Sequence, residues 1–371
     1  MKVPMLDLTE QYQNLKAEII PALDDVMSKA HFILGDNVKK LEKDIAEYSH
    51  SKYGIGVANG SDAINIALLG IGLEPGDEVI VPSFTFFATA GAVSRSGGVP
   101  VFVDINPRTF NMDPAAIEKA ITPKTKAIIP VHLYGQMADM TAIKEIAEKH
   151  HLAVIEDAAQ AIGATHRGKK VGELGTIATY SFFPTKNLGA YGDAGMVITN
   201  DDEFAERMRV LRVHGSKPKY YHHILGYNSR LDEMQAAILN VKFPHLNDWA
   251  ELRREKAHTY NQFIQEMVGD VVVTPYEEDF NYHVFHQYTI RVPKRDELQA
   301  FLKEQGVETM IYYPKPLHLQ PVFAELGYKE GDLPETEKAA AEAISLPMFP
   351  ELKTEQQQYV VEKIREFYQK N

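Results

Sequence analysis

The sequence predicts an α/β fold in which helices flank a mostly parallel central sheet, followed by a smaller C-terminal α+β domain. Between about residues 50 and 200, short runs rich in Val, Ile and Phe alternate with segments of helical periodicity. The runs are apolar at successive positions, which is typical of strands buried on both faces of a parallel sheet. Their alternation with helices is typical of a doubly wound sheet. We expect six strands there, at residues 78–82, 99–104, 126–131, 152–157, 179–183 and 195–199.

The pattern changes in the last third of the chain. Residues 232–265 have the periodicity of one long helix, and residues 286–292 are predicted to form a further strand. A chain of 371 residues exceeds what one compact core usually holds. We therefore expect a boundary near residue 250, between a large domain over 1–250 and a small domain over 251–371.

Composition and charge exclude several classes of protein. The chain has no Cys, which removes disulfides, thiol catalysis and thiolate metal sites and fits a reducing cytoplasm. The net charge of −12 disfavours general affinity for nucleic acid or anionic membranes. No run of eighteen apolar residues occurs, and the first residues lack the apolar core of a secretory signal. We expect a cytoplasmic enzyme with no nucleic-acid partner and no membrane partner.

Lys186 lies in the segment that offers the most chemistry. It follows an apolar strand and precedes a Gly-rich turn that ends at Gly195. Sheets of this class place ligands at the carboxyl ends of their strands, where a desolvated lysine has a lowered pKa and attacks aldehydes. The alternative is a solvated loop lysine, which is the commoner case for a lysine taken alone.

Asp157 ends a predicted buried strand and is followed by Ala158, Ala159 and Gln160. A carboxylate there needs a cationic partner, because burying an unpaired charge is costly. A protonated pyridine nitrogen is such a partner, and its protonation makes pyridoxal an electron sink. The alternative is a helix N-cap, and on this residue alone the two interpretations are evenly matched.

Gly60, Ser61 and Asp62 precede a helical pattern over residues 64–69. Small residues and free amides at the start of a helix form a site suited to phosphate. Ser61 is equally a candidate N-cap, so both interpretations stay open. Asn59 begins an N-glycosylation pattern, which we discount because the chain shows no secretory signal.

Other motifs are absent or incomplete. Residues 163–170 nearly form a phosphate-binding loop for nucleoside triphosphates, but Lys170 stands where Ser or Thr should hold magnesium. No Gly-x-Gly-x-x-Gly follows a strand and opens a helix. The adjacent histidines at 150–151 and 222–223 lack the spacing of two ligands on one helix face. We expect no metal.

Six motifs in order resemble the DegT/DnrJ/EryC1/StrS family of sugar aminotransferases, which are fold-type I pyridoxal-phosphate enzymes. They cover nearly the whole chain, and their shared order is specific where any single motif is not. The motifs lie at residues 60–63 (GSDA), 82–86 (PSFTF), 156–160 (EDAAQ), 181–186 (SFFPTK), 226–232 (GYNSRLD) and 313–318 (YPKPLH). The resemblance implies the fold-type I architecture, pyridoxal 5'-phosphate as cofactor and aminotransferase activity.

The resemblance also implies roles for the residues around the cofactor ring. Lys186 would hold the cofactor covalently and later move protons as acid and base. Asp157 would pair with the pyridine nitrogen, and Gln160 would hydrogen-bond the ring hydroxyl. Phe86 would stack on the ring; without the resemblance it would be assigned to the core.

Further roles concern the phosphate, the partner subunit and the substrate. The phosphate would be held by the first turn of a helix and a strand end, namely Gly60, Ser61, the Asp62 backbone and Ser181. Asn228 would reach it from the neighbouring subunit, which implies a homodimer with shared active sites. Tyr313 and His318 would lie near the sugar, although alone they would be taken for turn residues. Candidates for the substrate's diphosphate are Lys217, Lys219 and Arg230, and a solvated loop explains the two lysines equally well.

Residues 186–193 (KNLGAYGD) resemble members that act at C3 of the sugar, whereas members acting at C4 more often carry a Thr-rich turn. This favours a nucleotide-linked acceptor, dTDP-3-keto-6-deoxyhexose, with L-glutamate as donor, giving a 3-amino sugar and 2-oxoglutarate. Two departures from the family pattern are Tyr312, where many relatives have His, and Ala194, where Gly is usual. Tyr312 bears on the sugar preference.

Three alternatives accompany this interpretation. The first is an aminotransferase for a 4-keto sugar or an aminocyclitol. The second is a sugar dehydratase of the same family, against which Lys186 argues, because such enzymes replace this lysine. The third is a non-catalytic regulatory protein on the same fold, and the acidic net charge argues against DNA binding.

Overall fold

The computed structural model describes residues 1–370. A seven-stranded sheet lies at its centre, with two small sheets beside it. The described residues form twelve strands: β1 (Tyr53–Val57), β2 (Glu78–Pro82), β3 (Val99–Val103), β4 (Thr125–Ile128), β5 (Ala153–Asp157), β6 (Thr165–His166), β7 (Lys169–Lys170), β8 (Ile177–Ser181), β9 (Gly195–Thr199), β10 (Asn281–Tyr282), β11 (Tyr288–Arg291) and β12 (Ala343–Leu346).

Helices surround the sheet on both faces. The described residues form twelve α-helices: α1 (Leu8–Lys29), α2 (Asp36–Tyr48), α3 (Gly60–Gly70), α4 (Ala88–Arg95), α5 (Pro114–Ala120), α6 (Met140–His150), α7 (Asp202–Leu211), α8 (Glu233–Lys242), α9 (Leu246–Met267), α10 (Arg295–Glu304), α11 (Pro334–Glu342) and α12 (Thr354–Lys370). The predicted α/β class with a mostly parallel sheet is confirmed.

The central sheet has the order β1-β9-β8-β5-β4-β2-β3. Strands β3, β2, β4, β5 and β8 pair in parallel, while β9 is antiparallel to both β8 and β1. In this register Asp157 pairs with Thr179, and Ser181 pairs with Gly195. The carboxyl ends of β5 and β8 therefore lie side by side at one edge of the sheet.

Both faces of the sheet are buried, as the predicted strands required. Along β2, Ile80 belongs to one hydrophobic cluster, whereas Val79 and Val81 belong to the cluster on the other face. All three side chains are fully buried. Successive residues of a strand point to opposite faces, so this alternation places one core on each side of the sheet.

Two differences from the predictions concern the central sheet and the long helix. Strand β1 was missed, because its glycines at 54 and 56 weaken the strand signal. The predicted single helix over 232–265 is two helices, α8 and α9, joined by the short 3-10 turn Phe243–His245. That turn contains Pro244, whose missing amide cannot continue an α-helical hydrogen-bond ladder.

A third hydrophobic cluster occupies the C-terminal part, around the antiparallel pair β11 and β12. Helix α9 contributes Ala250 to the first cluster on the central sheet, and Tyr260 and Ile264 to this third cluster. Val3 also joins the third cluster from the start of the chain. The division at residue 250 falls inside α9, and the two-domain arrangement stays a prediction.

Among residues 1–370, no helix combines the length and apolarity needed to cross a membrane.

Candidate active site

A cavity of about 630 Å³ opens at the carboxyl ends of β5 and β8. Predicted site residues that line it are Gly60, Ser61, Phe86, Asp157, Gln160, Ser181, Lys186 and Tyr313. They come from five separate stretches of the chain, and the parallel sheet, the starts of α3 and α4 and the loop that contains Tyr313 bring them together. The cavity lies within the size range typical of small-molecule sites.

Lys186 lies on the loop that follows β8, on the wall of this cavity. Burial lowers the pKa of its amine to about 8, and the nearby Asp157 carboxylate opposes that shift. Two buried contacts hold the loop: Asn187 Nδ2 donates to the Val284 carbonyl at 3.1 Å, and Lys242 Nζ donates to the Gly189 carbonyl at 2.8 Å. The loop therefore presents an amine that is partly neutral near physiological pH.

Asp157 is buried at the end of β5, with its carboxyl group on the cavity wall. Burial raises its pKa, against the lowering effect of hydrogen bonds from the Thr89 hydroxyl and the Ala159 amide and of the Lys186 charge. Thr89 Oγ1 donates to Asp157 Oδ2 at 2.8 Å, and the Ala159 amide donates to Oδ1 at 3.2 Å. No helix begins at Asp157, so the N-cap alternative does not hold.

Behind Asp157, its neighbour Glu156 is fully buried and accepts three hydrogen bonds. His132 Nε2 lies 2.8 Å from Oε2, and the amides of Gly172 and Gly175 donate to Oε1 at 3.0 Å and 2.8 Å. His132 Nδ1 accepts from the Ala138 amide at 3.1 Å, so Nε2 carries the proton donated to Glu156. This network fixes the end of β5.

The start of α3 and the end of β8 form a cradle for an anion. A Cβ on Gly60 would lie 2.6 Å from the Ser181 Cβ, so only glycine allows this approach. Asn59, not Ser61, is the N-cap: its side chain accepts from the Asp62 amide at 2.8 Å. The Ser61 hydroxyl is thus left for a ligand, together with amides of the first helical turn.

Gln160, Phe86 and Tyr313 form a further part of the cavity wall. Gln160 Oε1 accepts from the Tyr134 amide at 2.6 Å, and Gln160 Nε2 donates to the Tyr313 hydroxyl at 3.2 Å. The Phe86 ring is 56% exposed, with its centroid 6.1 Å from that of Tyr313. An exposed aromatic ring on a cavity wall offers a stacking surface for a planar ligand. Phe86 is therefore not a core residue.

Two predicted site residues, Asp62 and His318, lie outside the lining of this cavity. The Asp62 amide donates to the Asn59 side chain at 2.8 Å, and its contact with a phosphate stays a prediction. His318 is buried outside the cavity lining, with Nδ1 2.7 Å from Ser83 Oγ and Nε2 3.2 Å from Glu337 Oε1. Both ring nitrogens of His318 are engaged, so it supports the fold beneath the site.

Asn228 and Lys219 also lie away from the cavity of their own subunit. Asn228 is exposed and forms a β-bridge with Val213, which closes the projecting segment of residues 213–228. Lys219 lies within this segment, with its amine over the Tyr220 ring. Leu225 in the same segment is 96% exposed. Neither residue lines this cavity, and the roles predicted for them stay predictions.

The sequence interpretation missed His286 and Gln287, which line the cavity. His286 Nδ1 lies 3.1 Å from Asn187 Oδ1, and its pKa is held well below the usual value by burial and then by the Lys186 charge. Gln287 Oε1 is buried and has no hydrogen-bond partner among residues 1–370. The pair precedes β11, and only the polar HQ start of this predicted strand hinted at a site.

The donor set fits pyridoxal phosphate. The cradle at Gly60 and Ser181 suits a phosphate, and the buried Asp157 carboxylate suits a protonated ring nitrogen. Lys186 supplies an amine with a lowered pKa. Among residues 1–370 no group of three or more His, Cys, Asp or Glu side chains could hold a metal ion.

The stretch of this chain that matches a known protein family includes every residue that lines the cavity. Residues 13–365 match the model of the DegT/DnrJ/EryC1/StrS aminotransferase family. A "Pleiotropic regulatory protein" of Geobacillus stearothermophilus is 74% identical over 368 residues, 99% of each chain. A UDP-N-acetyl-3-dehydro-alpha-D-glucosamine 3-aminotransferase of Acidithiobacillus ferrooxidans is 49% identical over 95% of each chain. The dTDP-3-amino-3,4,6-trideoxy-alpha-D-glucose transaminase of Streptomyces venezuelae is 43% identical, over 99% of this chain and 96% of that one.

Solved structures of aminotransferases have the same fold as this chain. S. venezuelae DesV in complex with a ketimine intermediate superposes with a TM-score of 0.95 at 43% identity, over 99% of this chain and 98% of that chain. The Bacillus subtilis protein ntda with bound cofactor PMP superposes with a TM-score of 0.94 at 38% identity, over 99% and 85%.

Proposed function

The chain belongs to the DegT/DnrJ/EryC1/StrS aminotransferase family and is a pyridoxal-phosphate-dependent sugar aminotransferase, and from this premise we propose that it aminates C3 of a nucleotide-linked keto sugar. The proposed acceptor is a dTDP-linked 3-keto-6-deoxyhexose, and the donor is L-glutamate. The observation that carries the proposal is Lys186, an amine of lowered pKa that shares one cavity with the buried Asp157 carboxylate.

The activities named for two relatives support amination at C3. The Streptomyces venezuelae relative is a transaminase of a dTDP-linked 3-amino sugar, and the Acidithiobacillus ferrooxidans relative is a 3-aminotransferase for a UDP-linked sugar. They agree on the carbon and differ in the nucleotide and the sugar. The KNLGAYGD run after Lys186 favours the same carbon.

Pyridoxal phosphate, when bound, supplies a carbonyl that takes up an amine and a protonated ring that withdraws electrons. We assign its attachment to Lys186 Nζ, its ring nitrogen to Asp157, its phosphate to Gly60, Ser61 and Ser181, and its ring hydroxyl to Gln160. Phe86 covers one face of the ring. These assignments follow from the cavity lining and from the chemistry of each group.

Lys186 is the residue that moves protons in this proposal. At its lowered pKa the amine is available as a base near neutral pH, so Nζ takes the Cα proton of the donor and returns a proton. Asp157, buried and ionised, stabilises positive charge on its partner during this transfer. The surrounding wall limits access of water to these two groups.

We also propose a homodimer in which each subunit completes the other's cavity. Asn228 and Lys219 lie on the projecting segment, which carries exposed apolar side chains such as Leu225 and Tyr220. Exposed apolar groups concentrated on a projection are typical of an interaction surface. Asn228 would reach the partner's phosphate site, and Lys219 would approach the substrate's diphosphate. A cytoplasmic location and the absence of nucleic-acid and membrane partners remain expectations.

Absorption spectra test the proposed donor and activity. We expect purified protein with pyridoxal phosphate to be yellow, and L-glutamate to convert the spectrum to that of the pyridoxamine form. Lys186→Ala is the control and should not turn over. A yellow protein unchanged by L-glutamate would overturn the choice of donor, and a protein that cannot be loaded with the cofactor would overturn the site assignment.

The acceptor is tested by returning the aminated enzyme to the yellow form with different keto sugars. We expect dTDP-linked 3-keto-6-deoxyhexoses to react at higher kcat/KM than UDP-linked 3-keto or dTDP-linked 4-keto sugars. A preference for the 4-keto compounds, or for an aminocyclitol ketone, would replace the proposed substrate with the corresponding alternative.

The name of the 74% identical relative favours a regulatory role as a second candidate. The net charge of −12 argues against direct binding of DNA. The reactive lysine and its carboxylate partner are both present, so a regulatory effect is more simply explained through the product of catalysis. Salt-resistant binding of a specific DNA by the purified protein would support the regulatory candidate.

A further inference from the structure

Thr89 makes a buried hydrogen bond for which the proposed function gives no role. It lies in the first turn of α4 and is fully buried, and its hydroxyl donates to Asp157 Oδ2 at 2.8 Å. Thr85 Oγ1 lies 3.2 Å from Thr89 Oγ1. Because a hydroxyl carries one proton and that of Thr89 goes to Asp157, the Thr89 oxygen accepts from Thr85. The three side chains form a directed chain of hydrogen bonds that ends on the carboxylate.

The remaining surroundings of Asp157 show what this chain does. The Ala159 amide donates to Oδ1, so each carboxylate oxygen is held by one donor and the plane of the group is fixed. An ionised carboxylate accepts at about four positions, which leaves two for a ligand. Burial works against ionisation here, and a hydrogen bond to the charged form works for it.

Charged and titratable groups on the neighbouring elements act on the same carboxylate. The Lys186 amine faces it from the loop after β8, the His132 ring lies behind it, and the Tyr313 phenol lies on the cavity side. Without the cofactor, the Lys186 amine loses its charge as the pH rises through about 8, and with the cofactor attached it is no longer a free amine. Its support for the carboxylate therefore fades in mildly alkaline solution, whereas the Thr89 hydroxyl keeps its proton at every pH that the protein tolerates.

We propose that Thr89 is a positioning residue that keeps the Asp157 carboxylate ionised and turned toward the cavity, so that a pyridine nitrogen facing it stays protonated. Thr85 supports Thr89 from the far side. The inference rests on the proposed pairing of Asp157 with the cofactor nitrogen. It differs from a purely structural role of Thr89 in one measurable respect, which is the proton on that nitrogen.

The experiment loads the full-length protein with pyridoxal phosphate labelled with ¹⁵N in the ring and follows the ¹⁵N resonance from pH 6 to pH 10. Thr89→Val keeps the shape of the side chain and removes the donor, and Thr89→Ser restores the donor. In Thr89→Val we expect the nitrogen to lose its proton about one pH unit earlier than in the unchanged protein, a tenfold change in the protonation equilibrium.

The kinetic expectation accompanies the spectroscopic one. The value of kcat should fall about tenfold in Thr89→Val, with KM for L-glutamate nearly unchanged, because the hydroxyl touches no substrate. Thr89→Ser should recover most of the loss. If Thr89→Val does not hold the cofactor, Thr89→Cys replaces it, since a thiol is a weaker donor of similar size and should give a smaller shift in the same direction.

Asp157→Asn separates failure of this inference from failure of its premise. If Asp157→Asn abolishes protonation of the nitrogen while Thr89→Val titrates like the unchanged protein, the role of Thr89 is refuted and that of Asp157 stands. If Asp157→Asn also leaves the titration unchanged, the proposed pairing is itself wrong. A shift in Thr89→Val that Thr89→Ser reverses supports the inference.

Discussion

Gly60 and Ser181 approach each other so closely that a Cβ on residue 60 would lie 2.6 Å from the Ser181 Cβ. The same Cβ would stand 3.2 Å from the Ser181 Cα, so a side-chain rotation cannot relieve the overlap. One residue begins α3 and the other ends β8, and their contact closes the cradle assigned to the cofactor phosphate. The size of residue 60 therefore controls whether the cradle can form.

Gly60→Ala should weaken binding of pyridoxal phosphate at least tenfold, because β8 and α3 must separate to admit the methyl group. Titration of the apoprotein with the cofactor, followed by absorbance, measures the Kd. Gly70→Ala is the matched control at the other end of α3, where the new Cβ would lie 3.0 Å from the flexible Met208 side chain and 4.0 Å from Ile177 Cδ1, with no backbone atom in the way. Equal affinities in the two variants would contradict the assignment of the phosphate to this cradle.

The rate at which the apoprotein captures pyridoxal phosphate should depend on pH through Lys186. Only the neutral amine attacks, and burial lowers its pKa from the usual 10.5 to about 8. The rate should therefore rise as the pH increases through about 8 and level off above it. Rapid-mixing absorbance measures this rate, and the reaction of the cofactor with butylamine corrects for the cofactor's own titration.

Asp157→Asn offers an internal check on the same measurement. The Asp157 charge holds the amine pKa up, so its removal should move the midpoint of the capture rate below 8. A rate that continues to rise up to pH 10 in the unchanged protein would contradict the lowered pKa.

Glu156→Ala should lower the free energy of unfolding by about 3 kcal/mol. The change leaves the Gly172 and Gly175 amides and the His132 proton without their acceptor in a fully buried position. Urea unfolding of the apoprotein measures the difference. Glu47→Ala, on the exposed face of α2, is the control and should change stability by less than about 0.5 kcal/mol. Similar losses in both variants would refute the structural importance of the buried network.

A mixture of two inactive variants should recover activity if subunits share active sites. Lys186→Ala lacks the reactive amine, and Asn228→Ala lacks the residue proposed to reach the partner's phosphate. Half of the dimers formed by random exchange are hybrids, and each hybrid has one of its two sites intact, so about a quarter of the original activity should return. Recovery is measured after unfolding and refolding the two variants together, and each variant refolded alone is the control. No recovery would refute the proposed reach of Asn228.

The sequence was informative wherever a pattern repeats along the chain. Apolar runs on both faces predicted the parallel strands, and β2 shows why, since its residues alternate between two cores. Strand β1 escaped prediction because its glycines carry no apolar side chain that would mark a face. The break between α8 and α9 depends on Pro244, which sits inside an otherwise continuous helical period.

Some residues of the site could be identified from the sequence, whereas others could be placed only in the folded chain. Lys186, Asp157 and Ser61 could be named as candidates because they follow strands or begin a helix, and the order of the six family motifs favoured a ligand role over the alternatives. His318 could not be placed, because Ser83 and Glu337, which bind its ring, come from distant parts of the chain. His286 and Gln287 carried little signal, since a buried polar pair before a strand is ordinary until the cavity beside it is known.

The sequence by itself predicted the α/β class from local periodicity, and the six motifs that it shares with the family implied the cofactor and the lysine expected to hold it. Only the tertiary structure showed which amide and hydroxyl groups around the cavity are already hydrogen-bonded within the protein. In the folded chain the Asp62 amide donates to the Asn59 side chain, whereas Ser61 lines the cavity. The Thr89 hydroxyl donates to Asp157, which lies 68 positions away in the sequence. Hydrogen bonds between such distant groups arise when helices pack on the sheet, and packing is set by the shapes of whole faces that no single stretch of sequence contains.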